Sequence, residues 1–178
     1  MRIGINPEKN KKKIIRYKLH RIIIPVYIPT EEKKYFDNLF EVFKISIGSL
    51  LKTTSKQFTN ITIINNNCNK EVTNYINSLI ESNLIDKHIH NSINKGKVNS
   101  ILSEVRSCHE EVITIADADV FYFSNWQFKT LEVFKNFKNI GVVAPLPCTN
   151  IYSYCNMSFF SNILKPKKKG FIISKKSC

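Results

Sequence analysis

Five short runs rich in Ile and Val punctuate the chain, and stretches with a helical apolar spacing separate them. The runs are Arg21-Ile22-Ile23-Ile24-Pro25-Val26-Tyr27, Ile61-Thr62-Ile63-Ile64, a weaker one near His88–His90, Glu111-Val112-Ile113-Thr114-Ile115-Ala116 and Gly141-Val142-Val143-Ala144. Continuous β-branched runs of this length predict strands covered on both faces. Between them, apolar residues recur every three or four positions. Tyr35, Phe36, Leu39, Phe40, Phe43, Ile47, Leu50 and Leu51 mark one helix reaching about Thr53, and Val72, Tyr75, Ile76, Leu79 and Ile80 mark a second from Lys70. Val98, Ile101, Leu102 and Val105 mark a third, and Trp126, Leu131 and Phe134 a fourth. Strands alternating with helices give βα units, hence an α/β fold with a mostly parallel central sheet flanked by helices.

Punctuation residues refine the boundaries. Pro25 and Pro145 stop the first and last strands. Thr30 is placed to cap the first helix, with Glu31 and Glu32 at the positive end of its dipole. Ser124 and Gln127 have the spacing of a capping box for the fourth helix. Asn94-Lys95-Gly96-Lys97 reads as a turn. After Pro147 the pattern decays into Ser/Asn/aromatic and then Lys-rich sequence. Three segments result: a basic stretch at 1–19, the α/β domain at 20–147, and an irregular basic tail at 148–178.

With 178 residues the chain fits one domain able to build its core without staples. Its net charge of +13 favours anionic partners. Much of the excess sits at the ends, in Lys9 to Lys18 and Lys165 to Lys176. The plainest reading of these ends is a solvated surface. Peripheral contact with an anionic membrane comes second, each basic residue near such a surface adding about 1 kcal/mol. Nucleic acid ranks last, because no recognisable nucleic-acid module accompanies the charge. The five cysteines (68, 108, 148, 155 and 178) follow no C-x-x-C spacing. Neither a secretory h-region nor an apolar run long enough to span a bilayer is visible, so the expected location is cytoplasmic, with the inner membrane face as its extension.

The polar clusters at 27–30, 65–69 and 117–119 all fall just past strand ends, where ligands of parallel sheets bind. Asp117-Ala118-Asp119 stands out among them. The chain holds only four Asp, and two of them follow a strand at i, i+2 in a very basic protein. On an extended segment their side chains share a face about 6.6 Å apart along the chain. That spacing favours one carboxylate on a divalent ion and the other on water or a sugar hydroxyl. Elsewhere signals are weak: His88 and His90 lack a third ligand, His20 and His109 read as surface residues, and Phe121, Tyr122, Phe123 and Trp126 read as core and hinge packing rather than a sugar platform. There is no dinucleotide fingerprint, P-loop or nucleophile elbow.

Together, Ile23-Ile24-Pro25-Val26-Tyr27, the strand at 61–64 with its polar cluster, the Asn94-Lys95-Gly96-Lys97-Val98-Asn99 turn and Ile113 to Asp119 resemble the nucleotide-binding part of family-2-like glycosyltransferases with the GT-A fold. The resemblance covers about residues 20–147. It implies that backbone near Pro25, Val26 and Tyr27 lines a nucleoside pocket, with Lys97 and Asn99 near the nucleotide. Asp117 would face ribose or sugar, and Asp119, with Asp117, would hold Mn2+ or Mg2+ on the diphosphate. Where such enzymes carry an Asp after the second strand, Asn65 and Asn66 stand here; an amide can still read a base edge.

The implied activity is transfer of a sugar from a nucleoside-diphosphate sugar, a UDP-sugar by preference, to a hydroxyl acceptor that is a saccharide or lipid-linked, as in polysaccharide biosynthesis. The chain departs from the pattern in its missing base. Inverting members use a downstream carboxylate to deprotonate the acceptor, and after Asp119 the sole acidic residue is Glu132. The catalytic residue is therefore not assignable, and the expectation is a truncated acceptor half or a degenerate domain that binds nucleotide or a partner without transfer. A phosphatase resembling haloacid dehalogenases also uses Asp-x-Asp, but Phe121 stands where a Thr or Val is required and the motif comes too late in the chain.

Overall fold

The computed structural model describes residues 18–30 and 38–144, together with the backbone of 164–167 and 170–173. Two compact units follow one another along the chain, Met1–Lys129 and Thr130–Cys178. In the first, β1 (His20–Val26), α1 (Leu39–Thr53), β2 (Thr59–Asn65), α2 (Lys70–Glu81), β3 (Lys87–His90), α3 (Lys97–Val105) and β4 (Val112–Ile115) alternate. They build one sheet in the order β3-β2-β1-β4, with every strand pair parallel. Helix α4 (Trp126–Asn136) begins in this unit and continues into the next. The second unit also holds an antiparallel pair, β5 (Leu164–Lys167) and β6 (Gly170–Ile173), inside the segment expected to be irregular.

The apolar runs explain the sheet. Ile22, Ile23 and Ile24 are consecutive and fully buried, so both faces of β1 are covered, as a central strand of a parallel sheet requires. Ile61, Ile63 and Ile64 do the same for β2. Phe43, Ile47 and Leu50 from α1 and Val72, Ile76 and Leu79 from α2 pack into the same core cluster as Ile22, Ile24 and Ile63. Burial of each such side chain contributes roughly 1.5–3 kcal/mol.

Helix starts were only partly legible. Asn69 caps α2, its Oδ1 accepting the Val72 N–H at 2.9 Å. The described part of α1 begins after Asn38, which has a left-handed backbone (φ 62) and makes no side-chain cap. The first-turn residues Glu31 and Glu32 lie outside the described residues. Pro25 does not end β1: the strand runs on to Val26, and Pro25 pairs in register with Ile64. The ladder with β4 closes at the Ala116 N–H to Ile23 carbonyl bond, 3.0 Å. Alternation points Pro25 to that same side, past the last rung, so its missing N–H costs no ladder bond.

Three further expectations are overturned. Residues 141–144 form no strand: two valines favour extended backbone, but a strand needs a neighbour's ladder, and none reaches them among the described residues. His20 is not on the surface but fully buried. Ser124 and Gln127 form no capping box, because Gln127 turns inward. Its Oε1 accepts the Ser55 N–H at 3.0 Å, which fixes the amide and aims its NH2 at Thr59 Oγ1 and His20 Nδ1, both 2.7 Å away. His20 Nδ1 must therefore accept, leaving the proton on Nε2, 2.7 Å from Thr114 Oγ1. Burial pushes the His20 imidazole down to about 4, which keeps it neutral.

Near the amino ends of the strands a second polar group is closed on itself. Arg21 donates through Nε and Nη2 to Glu110 Oε1 at 2.8 and 2.5 Å, and through Nη1 to Thr62 Oγ1 at 2.8 Å. Glu110 also accepts from Asn60 Nδ2 and the His109 N–H. Buried Glu104 accepts from Thr62 Oγ1 at 3.0 Å and Lys87 Nζ at 2.6 Å. Asp86 accepts the Ile61 N–H at 2.8 Å. Burial alone would raise the Glu110 carboxyl; the hydrogen bonds from Arg21 and Asn60, with the Arg21 charge, outweigh it and hold it down to about 2.

Candidate functional site

From β1 the chain steps outward through β2 to β3, then returns to place β4 on the other side of β1. Such a reversal leaves a crevice beyond the carboxyl ends of β1 and β4, the strands on either side of it. A cavity of about 430 Å3 opens there, within the size range of ligand pockets. Its walls are Pro25 to Ile28 after β1, Leu39, Val42 and Phe43 of α1, Asn66 after β2, Asn94, Gly96 and Lys97 at the start of α3, and Asp117, Ala118 and Asp119 after β4.

The two carboxylates reach this cavity from a turn and not from the extended segment that the spacing predicts. β4 ends at Ile115, Ala116 makes the last rung, and the chain turns at Ala118 and Asp119. The extended-chain spacing therefore does not apply to the pair. Asp117 forms an ion pair with Lys97, and both side chains are more than half exposed. Asp119 is exposed at the rim. Beside them Tyr122 is buried, its N–H donating to Ser49 Oγ at 3.0 Å and its ring packed on Trp126 at 5.0 Å. Burial and then the Asp117 charge push the Tyr122 phenol up to about 12. Phe121 and Phe123, expected to pack with Tyr122 and Trp126, are both exposed and touch edge to face at 5.3 Å.

Of the other expected site residues, Pro25, Val26, Tyr27, Asn66 and Lys97 line the cavity. Asn65 does not. Fully buried, it donates to Thr73 Oγ1 at 2.9 Å and accepts the Cys68 N–H at 2.7 Å, tying β2 to the start of α2. Asn99 is exposed on α3 and donates to the Lys95 carbonyl at 3.1 Å, outside the cavity wall. The apolar wall from α1 has no site signature in the sequence, because its residues carry only a core signal. Asn94 and Gly96 carry only a turn signal in the sequence; Gly96 needs φ 75, which few side chains tolerate. His88 bonds Asn77 Oδ1 at 3.0 Å and lies against His90. Among the described residues, no group of three or more His, Cys, Asp or Glu forms a cage for a metal, and no helix is long and apolar enough to cross a membrane.

The glycosyl transferase family 2 model matches residues 22–168, most of the chain. The chain belongs to that family. Solved structures agree on the fold. The mannosyltransferase PcManGT from Pyrobaculum calidifontis, in complex with GDP-Man and Mn2+, superposes with a TM-score of 0.61 at 10% identity over 78% of this chain. S. aureus TarS in complex with UDP-GlcNAc gives 0.53 at 11% identity over 70% of this chain and 37% of its own. This family 2 chain spans 38% of the length of PcManGT. No curated protein sequence matches it. The fold is thus the GT-A fold: a parallel four-stranded sheet flanked by helices.

Proposed function

We propose that the cavity beyond β1 and β4 binds a nucleoside-diphosphate sugar, a UDP-sugar by preference, for transfer of the sugar to a hydroxyl acceptor. The observation that carries this reading is the arrival of Asp117 and Asp119 at a crevice shared with the Pro25–Tyr27 segment and Lys97. Pro25 to Tyr27 would receive the nucleoside, and Lys97 would meet the diphosphate. The donor set fits a hard divalent cation: Asp119 offers an exposed carboxylate and Asp117 a second, leaving the remaining positions to diphosphate and water oxygens. Mn2+ or Mg2+ would be held there by Asp119 with Asp117, and when bound it neutralises the charge of the leaving diphosphate.

Titration calorimetry with UDP and Mn2+ tests the assignment. Asp119→Ala should weaken metal-dependent UDP binding by about tenfold or more, roughly 1.4 kcal/mol. Equal affinity in parent and variant would remove the metal assignment. A second reading, donor binding without transfer, is favoured by one observation: among the described residues the carboxylates lining the cavity are Asp117 and Asp119, and both are taken up by the metal reading. Donor hydrolysis and transfer assays with Mn2+ separate the two, since a binding domain would retain UDP affinity and release no sugar.

A further inference from the structure

We infer that Asn66 is a positioning residue that sets Lys97 for the diphosphate, and that it does not read the base. The inference rests on the nucleotide-sugar reading above. It comes from the hydrogen bonds of one carboxamide. Asn66 Oδ1 accepts the Lys95 N–H at 3.0 Å and Asn91 Nδ2 at 3.1 Å, and Ser100 Oγ, which shares its one proton with the Gly96 carbonyl at 2.8 Å, lies 3.1 Å from the same oxygen. Its Nδ2 donates to Asn94 Oδ1 at 2.6 Å. Asn94 Oδ1 in turn accepts the Gly96 N–H at 2.8 Å. Two backbone N–H groups, which can only donate, thereby fix both amides, and their orientation leaves no choice of flip.

Three consequences follow. The Asn66 oxygen is saturated by groups of the 91–100 segment and is not left to accept from a base. The turn that ends at Gly96 hangs on Asn66, and the next residue is Lys97, which pairs with Asp117 in the cavity. An Asp at position 66 would bring two acceptor oxygens together where Nδ2 now donates to Asn94, so a carboxylate does not fit this turn. Asn at 66 and Asn at 94 form one device, which holds Lys97 from across the cavity.

The test compares binding of UDP and of inorganic pyrophosphate, each with Mn2+, by titration calorimetry on the whole chain. Asn66→Asp should lower both affinities in parallel, by roughly three- to tenfold, because the lysine is misplaced for either ligand. Asn94→Ala, at an exposed position that leaves β2 intact, should do the same and guards against misfolding of the first variant. In a Lys97→Met background neither change should lower pyrophosphate affinity much further, the coupling expected of groups acting through one side chain. Loss of UDP affinity with pyrophosphate binding intact would make Asn66 a base reader and overturn the inference, as would unchanged affinities or additive losses with Lys97→Met. Failure of the parent to bind either ligand would instead refute the donor-site reading itself.

Discussion

The two ends of this sheet are both polar, but they treat their charges in opposite ways. At the amino ends, Arg21, Glu104, Glu110, Lys87 and Asp86 are bonded to one another and to neighbouring side chains and backbone, and the Glu104 and Glu110 side chains are 2% and 1% exposed. At the carboxyl ends, Lys97 and Asp117 pair while 57% and 53% exposed, and Asp119 stands open beside them. A saturated network holds strands in register; an unsaturated one keeps binding capacity in reserve. Charge by itself therefore does not mark a site in so basic a chain. The difference lies in exposure: at the crevice the charged groups stay open to solvent and to a ligand.

The sharpest way to break this contrast is Arg21→Ala. It strands Glu110 in a site sized for an ion pair, and removing one partner of a buried pair typically costs about 3–5 kcal/mol. Urea unfolding should show a loss of that order, with UDP affinity per folded molecule unchanged. A loss below about 1 kcal/mol would mean the amino-end network is as loosely held as the carboxyl end.

Acidification is the next lever. The unfolded imidazole titrates near 6.5, while buried His20 resists protonation until about 4. Below 6.5 the unfolded chain takes up a proton that the folded one does not, so stability falls as pH drops from about 6.5 to 4, by about 3 kcal/mol in all. Glu110, held at about 2 against 4.5, adds a further loss as pH drops from about 4.5 to 2, where the unfolded carboxyl takes up a proton and the folded one does not. Thermal melts at pH 7 and pH 4.5 should differ markedly in the parent, and the part of the loss between 6.5 and 4 should largely vanish in His20→Gln. An undiminished slope in that variant would place the acid sensitivity elsewhere.

These side-chain roles also show where sequence reading stops. The alternation of Ile-rich runs with helical stripes was enough for the parallel sheet, because burial on both faces leaves a local imprint at each strand. Asp117 and Asp119 were legible because two carboxylates directly after an apolar strand are rare in such a chain. His20 and Gln127 were not, since they meet 107 residues apart and the local Ser-x-x-Gln spacing imitates a cap. Asn65 and Asn66 are adjacent and chemically identical, yet one bonds within the start of α2 and the other holds the turn before α3. Only the direction of alternation along β2 separates them. The valines at 142 and 143 favour extended backbone, but no local pattern says whether a neighbouring strand exists.

At the carboxyl end the expected stability effects are small, which is itself a prediction. Lys97→Met should change unfolding free energy by less than about 1 kcal/mol, as for other exposed pairs, while it lowers UDP affinity severalfold. A larger stability loss would make the pair part of the scaffold and not of the site.

The finest test lies between the two regimes, at Tyr122. Its ring belongs to the core and is 7% exposed, yet its hydroxyl is buried with no hydrogen-bond partner among the described residues. The phenol, pushed up to about 12 by burial and by Asp117, remains protonated at neutral pH, so the hydroxyl carries a donor that no described residue accepts. Tyr122→Phe keeps the contact with Trp126 and the backbone bond to Ser49, and removes only that group. Because an unsatisfied buried hydroxyl is destabilising, the variant should be as stable as the parent or more stable by up to about 1 kcal/mol, read as a shift of the urea midpoint at constant m. Should it instead be less stable by that amount, the hydroxyl has a partner in the apo protein, and the polar network closes on itself beside the cavity as well as at the far edge of the sheet. If stability is unchanged and UDP affinity drops, the hydroxyl is another group held in reserve for a ligand, next to Asp117.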